Sequence, residues 1–133
     1  HAKMEYKADV VFTGYVSDVQ LSQLYGAAEA LAYVSRFEGF GLPLVEAMRC
    51  NAPIITSNTS AMPEVAGDAA LLVDPESPDS IREAMQQVAS DPELRERLIA
   101  NGSKRREQFT WAETARRVGE SLDQVVASPK KKG

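Results

Sequence analysis

The sequence from residue 30 to residue 56 reads ALAYVSRFEGFGLPLVEAMRCNAPIIT. An apolar run is followed by a loop with two glycines, by a proline that suits the first turn of a helix, and by a second apolar run. Short apolar runs that alternate with amphipathic helices are typical of a parallel β-sheet covered by helices on both faces. This stretch therefore predicts a strand, a helix and a parallel strand, with the glycine loop at the carboxyl end of the first strand.

The same alternation extends in both directions along the chain. Apolar, β-branched runs predict strands at 10–13, 30–34, 53–56 and 69–73. A short helix around residues 63–65 is expected to end at Gly67, and the chain beyond residue 77 is expected to be helical. We therefore predict an α/β fold with a Rossmann-like parallel sheet flanked by helices.

Capping signals mark where the helices begin and end. Starts are expected at Ser17 with Gln20, at Pro43, at Ser77-Pro78, at Asp91-Pro92, and at Thr110 with Glu113. Ends are expected at Cys50-Asn51 and at Asn101-Gly102. The last helix carries an apolar stripe of Trp111, Ala115, Val118, Leu122 and Val125. We expect this stripe to be buried against another surface.

The glycine loop is the main candidate for a binding site. Gly39 and Gly41 allow backbone angles that other residues avoid, and Pro43 has no N–H to lose in the first turn of a helix. Free N–H groups at a helix N-terminus attract anions. Glu38 and Glu46 flank the loop, so they can bind hydroxyl groups on either side of a phosphate, a combination that a sugar nucleotide carries. The alternative is an ordinary strand-to-helix turn with two solvated glutamates.

Composition excludes several classes of function. The chain has 133 residues, which suits one domain, and its net charge of -4 without a dominant basic patch argues against a nucleic-acid partner. The only histidine is His1, and no metal-ligand spacing occurs, so we expect no metal and no cofactor. The single cysteine, Cys50, fits a reducing compartment such as the cytoplasm. No apolar run is long enough to form a transmembrane segment.

These motifs together resemble a known enzyme family. Residues 35–48 resemble a motif of two glutamates separated by seven residues. This motif is found in the C-terminal, donor-binding domain of retaining glycosyltransferases with the GT-B fold, specifically glycosyltransferase family 4 (group 1). Further similar segments, in the same order, are 12–16, 21–25, 53–57, 62–65, 67–70 and 109–111. The resemblance implies transfer of a hexose, of the mannose or glucose type, from a nucleoside diphosphate sugar to an acceptor.

The resemblance also implies a role for each residue of the loop. The main-chain N–H groups that hold the donor diphosphate would be those of Gly39, Phe40, Gly41 and Leu42. Glu46 would accept hydrogen bonds from the ribose hydroxyls. Glu38 would contact the donor sugar and stabilise positive charge on its ring as the glycosidic bond breaks, which makes it the candidate catalytic residue.

The sequence departs from the family pattern in two ways. Asn51 stands where the family commonly has glycine, and asparagine can adopt the same left-handed conformation. The earlier strands, whose arginine and lysine clamp the diphosphate, are absent, as is the N-terminal acceptor domain, and Lys3 and Lys7 stand in no matching motif. Residues 1–127 are therefore expected to be part of a donor-binding domain, and residues 128–133 a disordered or artificially added tail.

The missing cations lead to an expectation about activity. Charge-assisted contacts contribute ~1.5–3 kcal/mol each, so the loss of two of them weakens diphosphate binding substantially. The isolated chain is therefore expected to bind donor poorly and not to turn over. The missing acceptor domain is also the part through which the whole protein would lie at the periphery of a membrane.

Two other classes of protein remain as alternatives. A non-catalytic, glycosyltransferase-like binding module is possible, although intact Glu38 and Glu46 argue against loss of chemistry. A receiver or flavodoxin-like domain lacks support, because no acidic cluster or matching phosphate loop follows the first predicted strand. Among single residues, Trp111 is expected to be a packing anchor rather than a platform for a sugar, and Tyr25 and Tyr33 are expected to face the core.

Overall fold

The computed structural model describes residues 6–127. Its centre is a sheet of three parallel strands, β1 (Leu31–Tyr33), β2 (Ile54–Ser57) and β3 (Ala70–Val73), with β2 in the middle. Ile54 pairs with Leu31 on one side and with Ala70 on the other. The strands predicted at 30–34, 53–56 and 69–73 are confirmed, and so is the parallel α/β architecture.

Helices connect the strands and continue beyond them. In the described part of the chain they are α1 (Asp18–Ala27), α2 (Leu42–Arg49), α3 (Met62–Ala66), α4 (Pro78–Ser90), α5 (Pro92–Arg105) and α6 (Trp111–Ala127). Short 3-10 turns lie at Lys7–Asp9 and Arg106–Gln108. None of the helices within residues 6–127 is both long and apolar enough to cross a membrane.

The predicted helix caps are present. Ser17 and Gln20 form the full capping box of α1, with the Ser17 N–H donating to Gln20 Oε1 at 2.9 Å. The side chains of Ser77 and Asp91 accept hydrogen bonds from N–H groups in the first turns of α4 and α5. Thr110 Oγ1 accepts from the Glu113 N–H at 3.1 Å. Each bond satisfies a main-chain donor that the helix itself leaves without an acceptor.

The core lies on both faces of the sheet because neighbouring side chains of a strand point in opposite directions. Ile54 packs on one face with buried residues of α2 and α3, among them Leu44 and Met62. Ile55 packs on the other face with Val88 of α4 and with residues of α5. Two layers of helices therefore cover one sheet, and β1 leads into α2 at the carboxyl edge of that sheet.

The strand predicted at 10–13 is wrong for the described residues. Val11 is 80% exposed, and the sheet contains β1, β2 and β3 without this segment. A β-branched apolar run forms a strand only where a neighbouring strand binds its main-chain N–H and C=O groups. Within residues 6–127 the segment is not part of the sheet.

The predicted end of α5 at Asn101-Gly102 is also wrong, because the helix continues to Arg105. Gly102 is buried, and a Cβ built on it would lie 3.3 Å from Met48 Cγ of α2. The Asn101 side chain donates to the Asp68 carbonyl at 3.0 Å. The glycine therefore permits a close helix–helix approach and does not end the helix. By contrast, Asn51 has a φ of 56°, which confirms the left-handed cap predicted after α2.

The apolar stripe of α6 is exposed in the described residues, contrary to the prediction that it is buried. Trp111 is 89% exposed and Leu122 is 61% exposed. Trp111 is therefore not a packing anchor here. An amphipathic pattern shows that a helix has an apolar face, but it does not say which surface covers that face. The tail predicted at residues 128–133 lies outside the described residues.

Candidate functional site

The candidate site is built where β1 leads through the glycine loop into α2. Gly41 is the residue immediately before α2, and its φ of 92° lies in the left-handed region that favours glycine. A Cβ built at this position would overlap the Met62 side chain, with Sδ at 3.1 Å. Gly39 does not have a positive φ, and a Cβ built on it would meet nothing within 4 Å. Of the two glycines that allow unusual backbone angles, only Gly41 adopts a positive φ.

The loop contains main-chain donors without a partner in the described part of the chain; Gly39, Phe40 and Leu42 are exposed, whereas Gly41 is buried. The N–H groups of Gly39, Phe40, Gly41 and Leu42 donate to no acceptor within residues 6–127. Pro43 has no N–H, and the first helical bond of α2 runs from the Leu44 N–H to the Gly41 carbonyl at 3.0 Å. Unpaired N–H groups at the start of a helix form a region of positive potential. This is an arrangement suited to a phosphate or another anion.

Glu38 is held on the strand side of the loop. Its Oε1 accepts a hydrogen bond from the Tyr33 hydroxyl at 2.5 Å, and its main-chain N–H donates to Ser60 Oγ at 3.2 Å. The hydrogen bond to Glu38, together with burial and the negative charge of Glu38, raises the pKa of Tyr33 above its usual value. The Tyr33 phenol therefore remains a protonated donor at neutral pH.

Glu46 is held on the helix side of the loop. Its Oε2 lies 3.4 Å from the Tyr25 hydroxyl, which comes from the last turn of α1. Burial raises the pKa of Tyr25, and the charge and hydrogen bond of Glu46 add to the shift in the same direction. The second oxygen of each glutamate, Oε2 of Glu38 and Oε1 of Glu46, has no protein partner within residues 6–127.

A cavity of about 760 Å³ opens beside the loop. Residues of the predicted site that line it are Gly39, Phe40, Leu42 and Glu46. Its opposite wall comes from α3, the end of α5 and the start of α6, and includes Trp111. Glu38 and Gly41 are not among the lining residues, so the structure brings Glu46 and part of the loop, but not Glu38, to this cavity.

Aromatic and cationic side chains shape the far wall of this cavity. The rings of Phe40 and Phe109 meet edge to face with centroids 5.7 Å apart, and the Arg105 guanidinium lies 5.4 Å from the Phe109 ring centroid. Arg105 also donates to the carbonyls of Glu64 and Val65. The Phe40–Phe109 contact joins the loop to the segment that follows α5, and the Arg105 hydrogen bonds join the end of α5 to α3.

Sequence reasoning missed the hydroxyl contacts of the two tyrosines. Tyr25 and Tyr33 are half-buried and pack against the same core cluster, as expected of core-facing residues, yet both hydroxyls reach a glutamate of the loop. The only sign of these contacts in the sequence was Tyr33 itself, because its hydroxyl is the one polar side-chain group in an otherwise aliphatic run. Within the described residues no group of three His, Cys, Asp or Glu side chains is placed to hold a metal ion.

Comparison with known proteins identifies the class to which this fold belongs. Residues 1–105 match the family described as glycosyl transferases group 1. The chain is 44% identical over 100 residues to O-antigen chain mannosyltransferase B of Escherichia coli, covering 75% of this chain and 26% of that protein. It is 34% identical over 125 residues to the MMP alpha-(1->4)-mannosyltransferase of Mycolicibacterium hassiacum, covering 90% of this chain and 30% of that protein.

A solved structure agrees with these sequence matches. Sucrose-phosphate synthase from Thermosynechococcus elongatus superimposes with a TM-score of 0.78 at 30% identity, covering 92% of this chain and 32% of that one. The chain thus spans between a quarter and a third of the length of these relatives. It belongs to the group 1 glycosyl transferases, and its fold is that of the C-terminal domain of a GT-B glycosyltransferase.

The conformation of Gly41 gives a direct test of the loop. Gly41→Ala should lower the free energy of unfolding by about 1–2 kcal/mol or more, because alanine is strained at this φ and its Cβ would displace Met62. Gly39→Ala is the matched control and should change stability by less than about 1 kcal/mol, since its Cβ meets open space. Urea unfolding of the two variants measures the difference. Equal stabilities would contradict this description of the loop.

Proposed function

We propose that this chain is the donor-binding part of a retaining, family 4 glycosyltransferase that transfers a hexose from a nucleoside diphosphate sugar to an acceptor. The observation that carries the proposal is the row of four unpaired main-chain N–H groups at residues 39–42, flanked by Glu38 and Glu46. Two of the similar proteins are named as mannosyltransferases, which favours mannose as the hexose. The rest of the catalytic centre would come from the remainder of a longer protein.

The diphosphate is the leaving group in this proposal. Negative charge grows on it as the glycosidic bond breaks, so N–H dipoles that are already aligned stabilise the transition state more than the ground state. The start of α2 adds its positive end at the same place. In other sites a metal ion neutralises the negative charge of the leaving group. We propose that the N–H donors take this role here and that the site works without a metal ion.

The two glutamates take separate parts in the proposed reaction. Glu46 lines the cavity in the second turn of α2 and would bind the ribose hydroxyls of the donor. Glu38, on the other side of the loop, would bind the hexose and stabilise the positive charge that develops on its ring. The division is supported by the placement of the two residues: Glu46 lines the cavity, whereas Glu38 is not among its lining residues and contacts Tyr33 of β1.

Alanine variants of the full-length parent protein test this division. Glu38→Ala should lower kcat by roughly 10²–10³-fold with little change in the donor Kd, because its contact strengthens in the transition state. Glu46→Ala should raise the donor Kd by about tenfold, because the ribose hydroxyls lose their hydrogen bonds to a charged acceptor. Turnover assays and isothermal titration calorimetry with UDP-, GDP- and ADP-sugars provide the two quantities.

Glu83→Ala, on an exposed face of α4, is the control and should change neither quantity. If Glu38→Ala retains full turnover while binding donor normally, Glu38 is not the catalytic residue. A parent protein that binds sugar nucleotides without transferring the sugar would support a non-catalytic binding module.

The isolated chain should not transfer sugar. It spans about a third or less of the length of its relatives, and Lys3 and Lys7 stand in no motif that would replace the cations expected beside the diphosphate. Incubation of the isolated chain with donor and acceptor should therefore give no product above background. A transfer rate comparable to that of the full-length parent would refute this part of the proposal.

A further inference from the structure

We propose that Tyr33 and Tyr25 are positioning residues, each of which holds one oxygen of a loop glutamate and leaves the other oxygen directed to the donor. Tyr33 would position Glu38, and Tyr25 would position Glu46. The inference rests on the proposed function, because each tyrosine would act through a glutamate to which that function gives a role.

The position of Tyr33 is determined by contacts that do not involve Glu38. Its ring packs against the core cluster that contains Leu44, and its main-chain carbonyl accepts a hydrogen bond from Thr56 Oγ1 at 2.8 Å. The hydroxyl then donates to Glu38 Oε1 at 2.5 Å. The core therefore restrains the phenol, and the phenol in turn restrains the Glu38 carboxylate.

The main chain of Glu38 is held independently of its side chain. Its N–H donates to Ser60 Oγ, in the loop that follows β2. With the main chain and Oε1 both bound, Oε2 is the atom that remains available, and it has no protein partner within residues 6–127. Glu38 is thus oriented before any ligand arrives, which is the condition under which a charged group contributes most to catalysis.

Tyr25 makes the corresponding contact with Glu46 from a different element. It lies in the last turn of α1, its ring packs against the same core cluster, and its hydroxyl is 3.4 Å from Glu46 Oε2. This distance is longer than that of a strong hydrogen bond, so the contact is weaker than that of Tyr33. Glu46 Oε1 remains available to the cavity that the side chain lines.

The pairing distinguishes positioning from simple packing. If the two rings only filled the core, phenylalanine would serve as well, and their hydroxyls would have no reason to meet the same kind of partner. Instead the two hydroxyls come from α1 and β1 and reach the two carboxylates that flank the loop. Removal of the hydroxyl should therefore change catalysis or binding while the fold persists.

The experiment uses the full-length parent protein with Tyr33→Phe, Tyr25→Phe and the control Tyr6→Phe. The side chain of Tyr6 is exposed. The main-chain carbonyl of Tyr6 accepts a hydrogen bond from the Asp9 N–H at 3.1 Å. Tyr33→Phe should lower kcat by roughly tenfold and leave the donor Kd within about twofold of the wild type. Tyr25→Phe should raise the donor Kd by about threefold and leave kcat unchanged. Tyr6→Phe should change neither.

A double-mutant cycle excludes a general structural effect. In the Glu46→Ala background, Tyr25→Phe should leave the donor Kd unchanged, because the tyrosine acts only through the glutamate. An equal effect of Tyr25→Phe in both backgrounds would overturn the proposal, as would normal kcat and Kd in both phenylalanine variants. A wild-type parent with no transferase activity removes this inference together with the proposed function, whereas an active parent with unaffected tyrosine variants removes this inference alone.

Discussion

The site depends on one backbone constraint, the left-handed conformation of Gly41 between β1 and α2. That conformation turns the chain sharply enough for α2 to begin at Leu42, and the N–H groups of residues 39–42 are left without acceptors in the described part of the chain. The Met62 side chain of α3 occupies the space in which a Cβ at Gly41 would lie. The position therefore requires glycine for its packing as well as for its φ angle. A side chain at this position would therefore disturb the core and the row of donors together.

The rest of the domain supports this turn. Ile54 and Ile55 of β2 face opposite sides of the sheet, so α2 and α3 are held on one side while α4 and α5 are held on the other. In a parallel sheet of this kind the carboxyl ends of the strands meet at one edge, where ligands usually bind. The loop after β2 reaches the same edge and binds the main chain of Glu38 through Ser60. The carboxylates and the donors are therefore placed by several elements at once.

Much of the fold could be predicted from local sequence signals, because those signals act within a few residues. Ser17 and Asp91 cap helices as expected, and Asn51 adopts the left-handed conformation. The failures concern features that depend on distant surfaces. Gly102 serves contact with α2 and does not end its helix. The Tyr25 and Tyr33 hydroxyls reach partners that only the tertiary structure reveals, and Val11 and the apolar stripe of α6 are exposed.

A crystal structure of the full-length protein with a bound nucleoside diphosphate sugar tests the central claim most directly. The account predicts diphosphate oxygens about 2.7–3.2 Å from the main-chain nitrogens of residues 39–42. It also predicts the ribose at Glu46 and the hexose at Glu38. A diphosphate bound at any other edge of the domain, with these four N–H groups left without a ligand, would contradict it.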